Sequence, residues 1–340
     1  MKILVTGGAG FIGSNFIRYI LSEHPEHAII NLDRLTYAGN LENLKDIEHL
    51  PNYRFIKGDI CSKRLIEGLE FDAIINFAAE SHVDRSILDS YPFLQTNILG
   101  AQNLLEFVRK RQRRMLHVST DEVYGSSGQG LFAEDSRLKP NSPYAASKAS
   151  ADLLVRSYHE TYGVNVIITR CSNNYGPYQF PEKLIPLVIY HALEGMAVPV
   201  YGDGRNVRDW IHVMDHCKAI DAAFHKGKAG DVYNIGARNE MENIDVVKKV
   251  LIKIAEKTGR DEQEILKLIT FVMDRPGHDR RYAIDPSKLE RELGWKPEIG
   301  FEEGISKTID WYLSNRGWWK RIISGEYMEY YKMQYGDRII

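Results

Sequence analysis

Near its start the chain reads Lys2-Ile3-Leu4-Val5-Thr6-Gly7-Gly8-Ala9-Gly10-Phe11-Ile12-Gly13. An apolar, β-branched run gives way to closely spaced glycines and then to a helical pattern. Continuous apolarity without period-two alternation is the mark of a strand buried on both faces. The glycines answer three needs: a sharp turn, an approach by a pyrophosphate unobstructed by Cβ atoms, and tight packing of a helix on its strand. Gly8, Gly10 and Gly13 fit G-x-G-x-x-G, while Gly7, Gly10 and Gly13 fit the wider G-x-x-G-x-x-G. Amides at a helix N-terminus near Phe11 and Ile12 would meet the phosphates of a dinucleotide. Asp33, at the end of the next apolar run, is placed to accept hydrogen bonds from ribose hydroxyls and to repel a 2′-phosphate. This favours NAD over NADP, although Arg34 stands beside it. Asp59 and Ile60 follow the third run, on the adenine side, and Ala78 completes the expected cofactor contacts. Asp33 and Asp59 are also ordinary turn residues at strand ends.

Outward from this motif, residues 2–6, 28–32, 53–56, 72–77, 115–119 and 164–169 read as strands separated by longer amphipathic segments. That rhythm predicts an α/β fold: a doubly wound, Rossmann-like parallel sheet with a smaller C-terminal α/β substrate domain. After Gly176, prolines and turn pairs loosen the pattern. The expected division is 1–178 for the dinucleotide-binding domain, rejoined by about 207–236, and 179–340 mainly for the second domain. At 340 residues about two domains are expected. The 44 basic and 46 acidic residues leave a net charge of −2, so no global field attracts nucleic acid or anionic membrane. Three scattered cysteines fit a reducing, cytoplasmic setting, and no apolar run has the length of a membrane span.

Tyr144 and Lys148, four apart, share one face of a predicted helix over 143–162. An ammonium near the phenol, with a cofactor's cationic ring, would favour the phenolate and make it a base. Thr120, Asp121 and Glu122 follow the fifth predicted strand, whose carboxyl end faces the ligand crevice of such a sheet. The two acids suit separate roles as proton donor and acceptor if burial separates their pKa values. Two other stretches read as structural. The basic run 109–114 closes a helix beginning near Tyr91, where cations complement the dipole. In 212–217, Asp215 reads as a helix N-cap and the histidines fall on different elements, so no metal is assigned.

These residues resemble the extended short-chain dehydrogenase/reductase family, in its nucleotide-sugar 4,6-dehydratase branch. The match runs through 6–13, 35–40, 78–86, 119–125, 144–148, 170–177, 208–210 and 275–279. The resemblance implies NAD as cofactor and dTDP-glucose as substrate. Tyr144, aided by Thr120 and Lys148, would take the 4-hydroxyl proton. Glu122 would remove the C5 proton, and Asp121 would protonate the departing C6 hydroxyl, giving the 4-keto-6-deoxy product of deoxysugar, and so of rhamnose, synthesis. The resemblance further places Ser81, Thr120, Asn173, Glu182, Lys183, Leu184, Pro199, Tyr201, Arg208, Asn243, Arg275 and His278 around the nucleotide sugar. It implies a homodimer built on the helices over 91–111 and 143–162. A UDP-sugar 4-epimerase or a decarboxylase of the same fold is the competing reading. The tail from Arg316, rich in Trp and Tyr, is expected to pack on the second domain or a dimer mate.

Overall fold

The computed structural model describes residues 1–323. The strands in chain order are β1 (Lys2–Thr6), β2 (Ala28–Asp33), β3 (Tyr53–Lys57), β4 (Ala73–Asn76), β5 (Arg114–Thr120), β6 (Val166–Cys171), β7 (Asn173–Tyr175), β8 (Val198–Tyr201), β9 (Val207–His212), β10 (Val232–Ile235), β11 (Glu240–Glu242) and β12 (Ile269–Val272). Seven form one sheet in the order β10-β6-β5-β4-β1-β2-β3, and every neighbouring pair is parallel. This is the doubly wound, Rossmann-like architecture expected from the apolar runs. The order reverses at β1, which lies between β2 and β4, so a crevice opens beyond the carboxyl ends of β1 and β4.

Helices cover both faces because both faces are apolar. On one, Phe16, Ile17 and Ile20 from Phe11–Glu23 pack with Ile220, Ala223 and Phe224 from Val213–Lys226. On the other, Leu104, Leu105 and Val108 from Ala101–Arg111 pack with Val155 and Tyr158 from Pro143–Tyr162. A separate apolar cluster joins Leu184–Glu194, Asn243–Thr258 and Phe301–Ser314 to β8. The small sheets β11-β9-β7 and β12-β8 belong to this part of the chain.

Three local expectations are corrected. β9 joins the small sheet, so the return to the main sheet comes through Val213–Lys226 and β10 and is narrower than 207–236. That helix begins at Val213 with His212 as its N-cap, Nδ1 accepting from the Met214 amide. Asp215, read as the cap, instead accepts from the Glu298 and Ile299 amides. The basic run does not sit wholly on a helix end: the helix stops at Arg111, and Arg114 opens β5, donating to the Phe224 and Gly227 carbonyls. Upstream, Leu94–Gly100 is π-helical. Of the aromatic tail, Trp318 and Trp319 are buried on the second apolar cluster. Trp318 Nε1 also donates to Asn43 Oδ1, and Asn43 Nδ2 donates to the Ala9 carbonyl in the glycine loop. Tyr327, Tyr330, Tyr331 and Tyr335 lie outside the described residues.

Pro143–Tyr162 is fixed at both ends: Ser142 Oγ accepts from the Ala145 amide, and Gly163 stops it with a φ of 65°. Midway, Asp152 Oδ2 accepts from Arg170 Nε at 2.8 Å, both groups buried. Arg170 Nη1 also donates to the Tyr124 hydroxyl, which donates to Asn234 Oδ1. Removing one partner strands a buried charge. Asp152→Ala is expected to cost about 3–5 kcal/mol, measured as a fall in thermal and denaturant midpoints.

Candidate active site

The glycine loop is shaped by close approach. Gly7 has φ +71°, and a Cβ there would lie 2.6 Å from the Ala78 amide nitrogen at the end of β4. A Cβ on Gly13 would lie 2.4 Å from the Gly7 carbonyl oxygen. Gly8 faces inward instead, against Asn31 and Ile17, so the register Gly7, Gly10, Gly13 borders the crevice. The helix starting at Phe11 has no acidic residue in its first turn and no side-chain cap. Its amides therefore point at the cleft unneutralised, as an anion site requires. Asp33 accepts from the Ala9 amide at 2.9 Å and the Leu35 amide at 2.8 Å. The carboxylate thus holds the loop while lining the cleft, and the turn role and the ribose role coexist. Burial raises its pKa, and the two amides oppose the rise. Arg34 is engaged with Asp59 at 3.2 Å. The sequence-predicted cofactor contacts Gly7, Gly10, Phe11, Ile12, Gly13, Asp33, Asp59, Ile60 and Ala78 all line this one cavity of about 340 Å³, a size usual for ligand sites.

Thr120, Asp121, Glu122, Tyr144 and Lys148 line the same cavity, with Ser81, Asn173, Glu182, Lys183 and Leu184. β5 ends at Thr120, whose Oγ1 accepts from the Glu122 amide and donates to Asp121 Oδ1, both at 3.3 Å. The turn Asp121–Tyr124 therefore presents two consecutive carboxyls at the crevice. Burial, reinforced by the charge on Glu122, pushes the Asp121 carboxyl well above its ordinary range. Burial also raises Glu122, but Arg275, Arg208 and Lys183 pull it back. Both acids are shifted upward, Asp121 more strongly, and the three cations act on Glu122 to oppose the rise. Tyr282, 160 residues away in sequence, brings its hydroxyl to 3.5 Å from Glu122 Oε2 and donates to Asp279 Oδ2 at 2.8 Å.

Tyr144 is buried rather than on a solvated helix face. Its amide donates to Ser86 Oγ at 3.1 Å. The Lys148 ammonium is anchored on the end of the fifth strand, Nζ donating to the Val118 carbonyl at 2.7 Å. Burial and the nearby Glu122 charge raise the phenol well above its ordinary value, and the neighbouring Thr120 hydroxyl opposes them. Burial brings Lys148 down to about 8, with Asp152 acting the other way.

Six predicted substrate residues, Pro199, Tyr201, Arg208, Asn243, Arg275 and His278, are not among those lining the cavity. Several are linked to it. Arg275 Nη1 donates to Asp84 Oδ1 and the Tyr201 hydroxyl to Asp84 Oδ2. Arg208 lies 4.1 Å over the Tyr282 ring and donates to the Asp279 carbonyl. Asn243 opens a helix, Pro199 sits in β8, and His278 Nδ1 contacts Asp274 Oδ1 at 2.6 Å. Asp84 and Tyr282 were missed as site residues. Asp84 stood within the matched stretch 78–86, whereas nothing local marks Tyr282.

A nucleotide crevice joined to a Tyr/Lys pair and two carboxyls defines a dinucleotide-dependent enzyme of the short-chain dehydrogenase/reductase type. Comparison is consistent with that class: the family model described as GDP-mannose 4,6 dehydratase matches residues 4–308. The dTDP-glucose 4,6-dehydratase of Shigella flexneri is 49% identical, covering 99% of this chain and 100% of its own. The solved Bacillus anthracis dTDP-glucose 4,6-dehydratase in complex with NAD is 51% identical with a TM-score of 0.86, covering 95% of this chain and 99% of its own. Its Streptomyces venezuelae counterpart, also with NAD bound, is 49% identical with a TM-score of 0.89, covering 95% and 100%. The chain belongs to the extended short-chain dehydrogenase/reductase family, among the dTDP-glucose 4,6-dehydratases.

Lys148 generates a pH dependence. From about pH 8 upward to the ordinary lysine value of about 10.4, the unfolded chain holds a proton that the folded chain has released. Stability in that window therefore rises with pH through this group. Relative to a Lys148→Met variant, the wild-type chain should gain stability from pH 8 towards 10, read by chemical denaturation of both at each pH.

Proposed function

We propose that this chain converts dTDP-glucose to dTDP-4-keto-6-deoxyglucose and water, using NAD retained through the cycle. The observation that carries the reading is the pair Asp121–Glu122, adjacent, lining the crevice and electrostatically split. A simple C4 oxidation needs the Tyr144 hydroxyl; elimination of a poor leaving group needs an acid and a base besides.

The glycine cradle, the open helix N-terminus and Asp33 fit a dinucleotide, and similar structures hold NAD. Bound there, NAD supplies the acceptor and later the donor of one hydride. The Tyr144 oxygen takes the proton of the 4-hydroxyl, with the Thr120 hydroxyl beside it in the same cleft. The Lys148 ammonium, held on the Val118 carbonyl, adds positive charge to this part of the cleft. Once C4 is a carbonyl the C5 proton is acidified, and Glu122, whose carboxylate form Arg275, Arg208 and Lys183 favour against burial, removes it. Asp121 gives its proton to the leaving 6-hydroxyl, so water departs. Arg208 and Arg275 also suit a diphosphate, since guanidinium forks pair with phosphate oxygens.

The surrounding organisation supports the rest of the reading. The separate apolar clusters fit a dinucleotide domain and a sugar-nucleotide domain. Leu88, Tyr91, Leu94, Leu99, Leu153 and Tyr162 are exposed apolar residues on or beside the helical stretches over 91–111 and 143–162, as a homodimer face requires. No helix among the described residues is long and apolar enough to cross a membrane, and all three cysteines are free, which fits a reducing compartment.

The test is mass spectrometry after incubation with dTDP-glucose and, separately, UDP-glucose. A product lighter by one water from the thymidine substrate is expected, and an unchanged mass with added NAD would instead favour a 4-epimerase. Asp121→Asn combined with Glu122→Gln should retain C4 oxidation, seen as reduced-nicotinamide absorbance, while losing dehydration. Tyr144→Phe should slow both by about 10²–10⁴-fold, read as initial rates.

A further inference from the structure

The opposite edge of the main sheet carries a cluster that the reaction does not use. His24 follows Phe11–Glu23, His27 immediately precedes β2, and His225 lies in the last turn of Val213–Lys226. These positions sit at the amino ends of the strands, whereas the active-site crevice opens at the carboxyl ends. Each histidine offers a ring nitrogen, and the three nitrogens lie within 4.8 Å of one another. His27 Nε2 and His225 Nε2 face each other at 3.3 Å.

Acceptors stand on the far side of both rings. Asp221 Oδ1 lies 2.8 Å from His225 Nδ1, and the Asp221 carbonyl lies 3.1 Å from the same nitrogen. Glu26 Oε1 lies 3.1 Å from His27 Nδ1 as an ion-pair contact that makes no hydrogen bond. Asp221 Oδ1 is also 3.1 Å from His24 Nε2, and Tyr19 donates to Asp221 Oδ2. A neutral imidazole has one proton; at His225 the hydrogen bond to the Asp221 carbonyl draws it to Nδ1, and at His27 the Glu26 charge favours the same tautomer, leaving each Nε2 as a lone pair. Two such lone pairs at 3.3 Å repel unless a cation lies between them. The separation equals the edge of a tetrahedron whose metal–nitrogen bonds are about 2.0–2.1 Å. The rings are also stacked, with centroids 4.7 to 5.5 Å apart, which disfavours protonating all three.

We propose that His24, His27 and His225 form a binding site for a divalent transition-metal ion, with zinc the best fit to three imidazole nitrogens. Asp221 and Glu26 take the part of carboxylates that fix ring tautomer and orientation. The ion clips the end of the first helix to a helix whose histidine lies 198 residues beyond His27, and so ties the start of the chain to the segment that returns to the main sheet.

The experiment is a calorimetric Zn²⁺ titration of tag-free, chelator-stripped full-length protein, with melting temperatures recorded with and without Zn²⁺. One ion per chain and a zinc-dependent rise in melting temperature are expected. Asp221→Asn should weaken binding by about 10–100-fold. His27→Gln and His225→Gln should each weaken it further and abolish the thermal shift. The more exposed His24→Gln supplies the same readout should the buried His27 variant fail to fold. Absence of stoichiometric binding at micromolar Zn²⁺, or binding that survives the histidine substitutions, would overturn the proposal and leave the facing nitrogens sharing a proton.

Discussion

Two carboxyl groups on consecutive residues cannot both be buried as anions without compensation, and much of the site is arranged around that constraint. Burial drives Asp121 strongly towards its protonated form, and at Glu122 cations from three separate segments oppose the same drive. Lys183 comes from the edge of a helix, Arg208 from β9 and Arg275 from the loop after β12. Those segments belong to the second half of the chain, so the electrostatic split exists only once that half has folded over the crevice. The smaller part of the molecule therefore helps set the proton inventory of groups that the main sheet positions.

The main sheet was legible because its signals are local. Each strand is a short apolar run, the glycine register announces a close backbone approach, and Tyr144 and Lys148 sit one helical turn apart. Much of the lining of the cofactor half follows from strand ends, since Gly7 to Gly13, Asp33, Asp59, Ile60 and Ala78 lie at or just beyond one. Legibility failed where a partner is distant in sequence. Nothing around Tyr282 signals Glu122, and nothing around Val118 signals that its carbonyl takes the Lys148 ammonium. Asp215 has the composition of an N-cap, yet its carboxylate is held by amides more than eighty residues on, so the cap falls to His212. The facing histidines were invisible for the same reason.

Substrate-side residues show a further limit. Arg275 and Tyr201 are both engaged with Asp84, so each is positioned before it meets any ligand. A spacing argument can nominate an arginine for a phosphate. It does not reveal that the arginine's carboxylate partner must share it, which makes the grip on a phosphate a competition rather than a simple ion pair.

The contact of Trp318 with Asn43, and of Asn43 with the Ala9 carbonyl, joins the last described helix to the glycine loop through a single amide side chain. Asn43 uses its oxygen for one partner and its nitrogen for the other, so the bonds are coupled by the orientation of one planar group. By thermodynamic reciprocity, a dinucleotide that steadies the loop also steadies the helix Arg316–Ile322, and fraying of that helix weakens the hold on the dinucleotide. Occupancy at the front of the molecule is thereby reported some three hundred residues along the chain, as altered solvent exchange of amides in Arg316–Ile322 that touch no ligand.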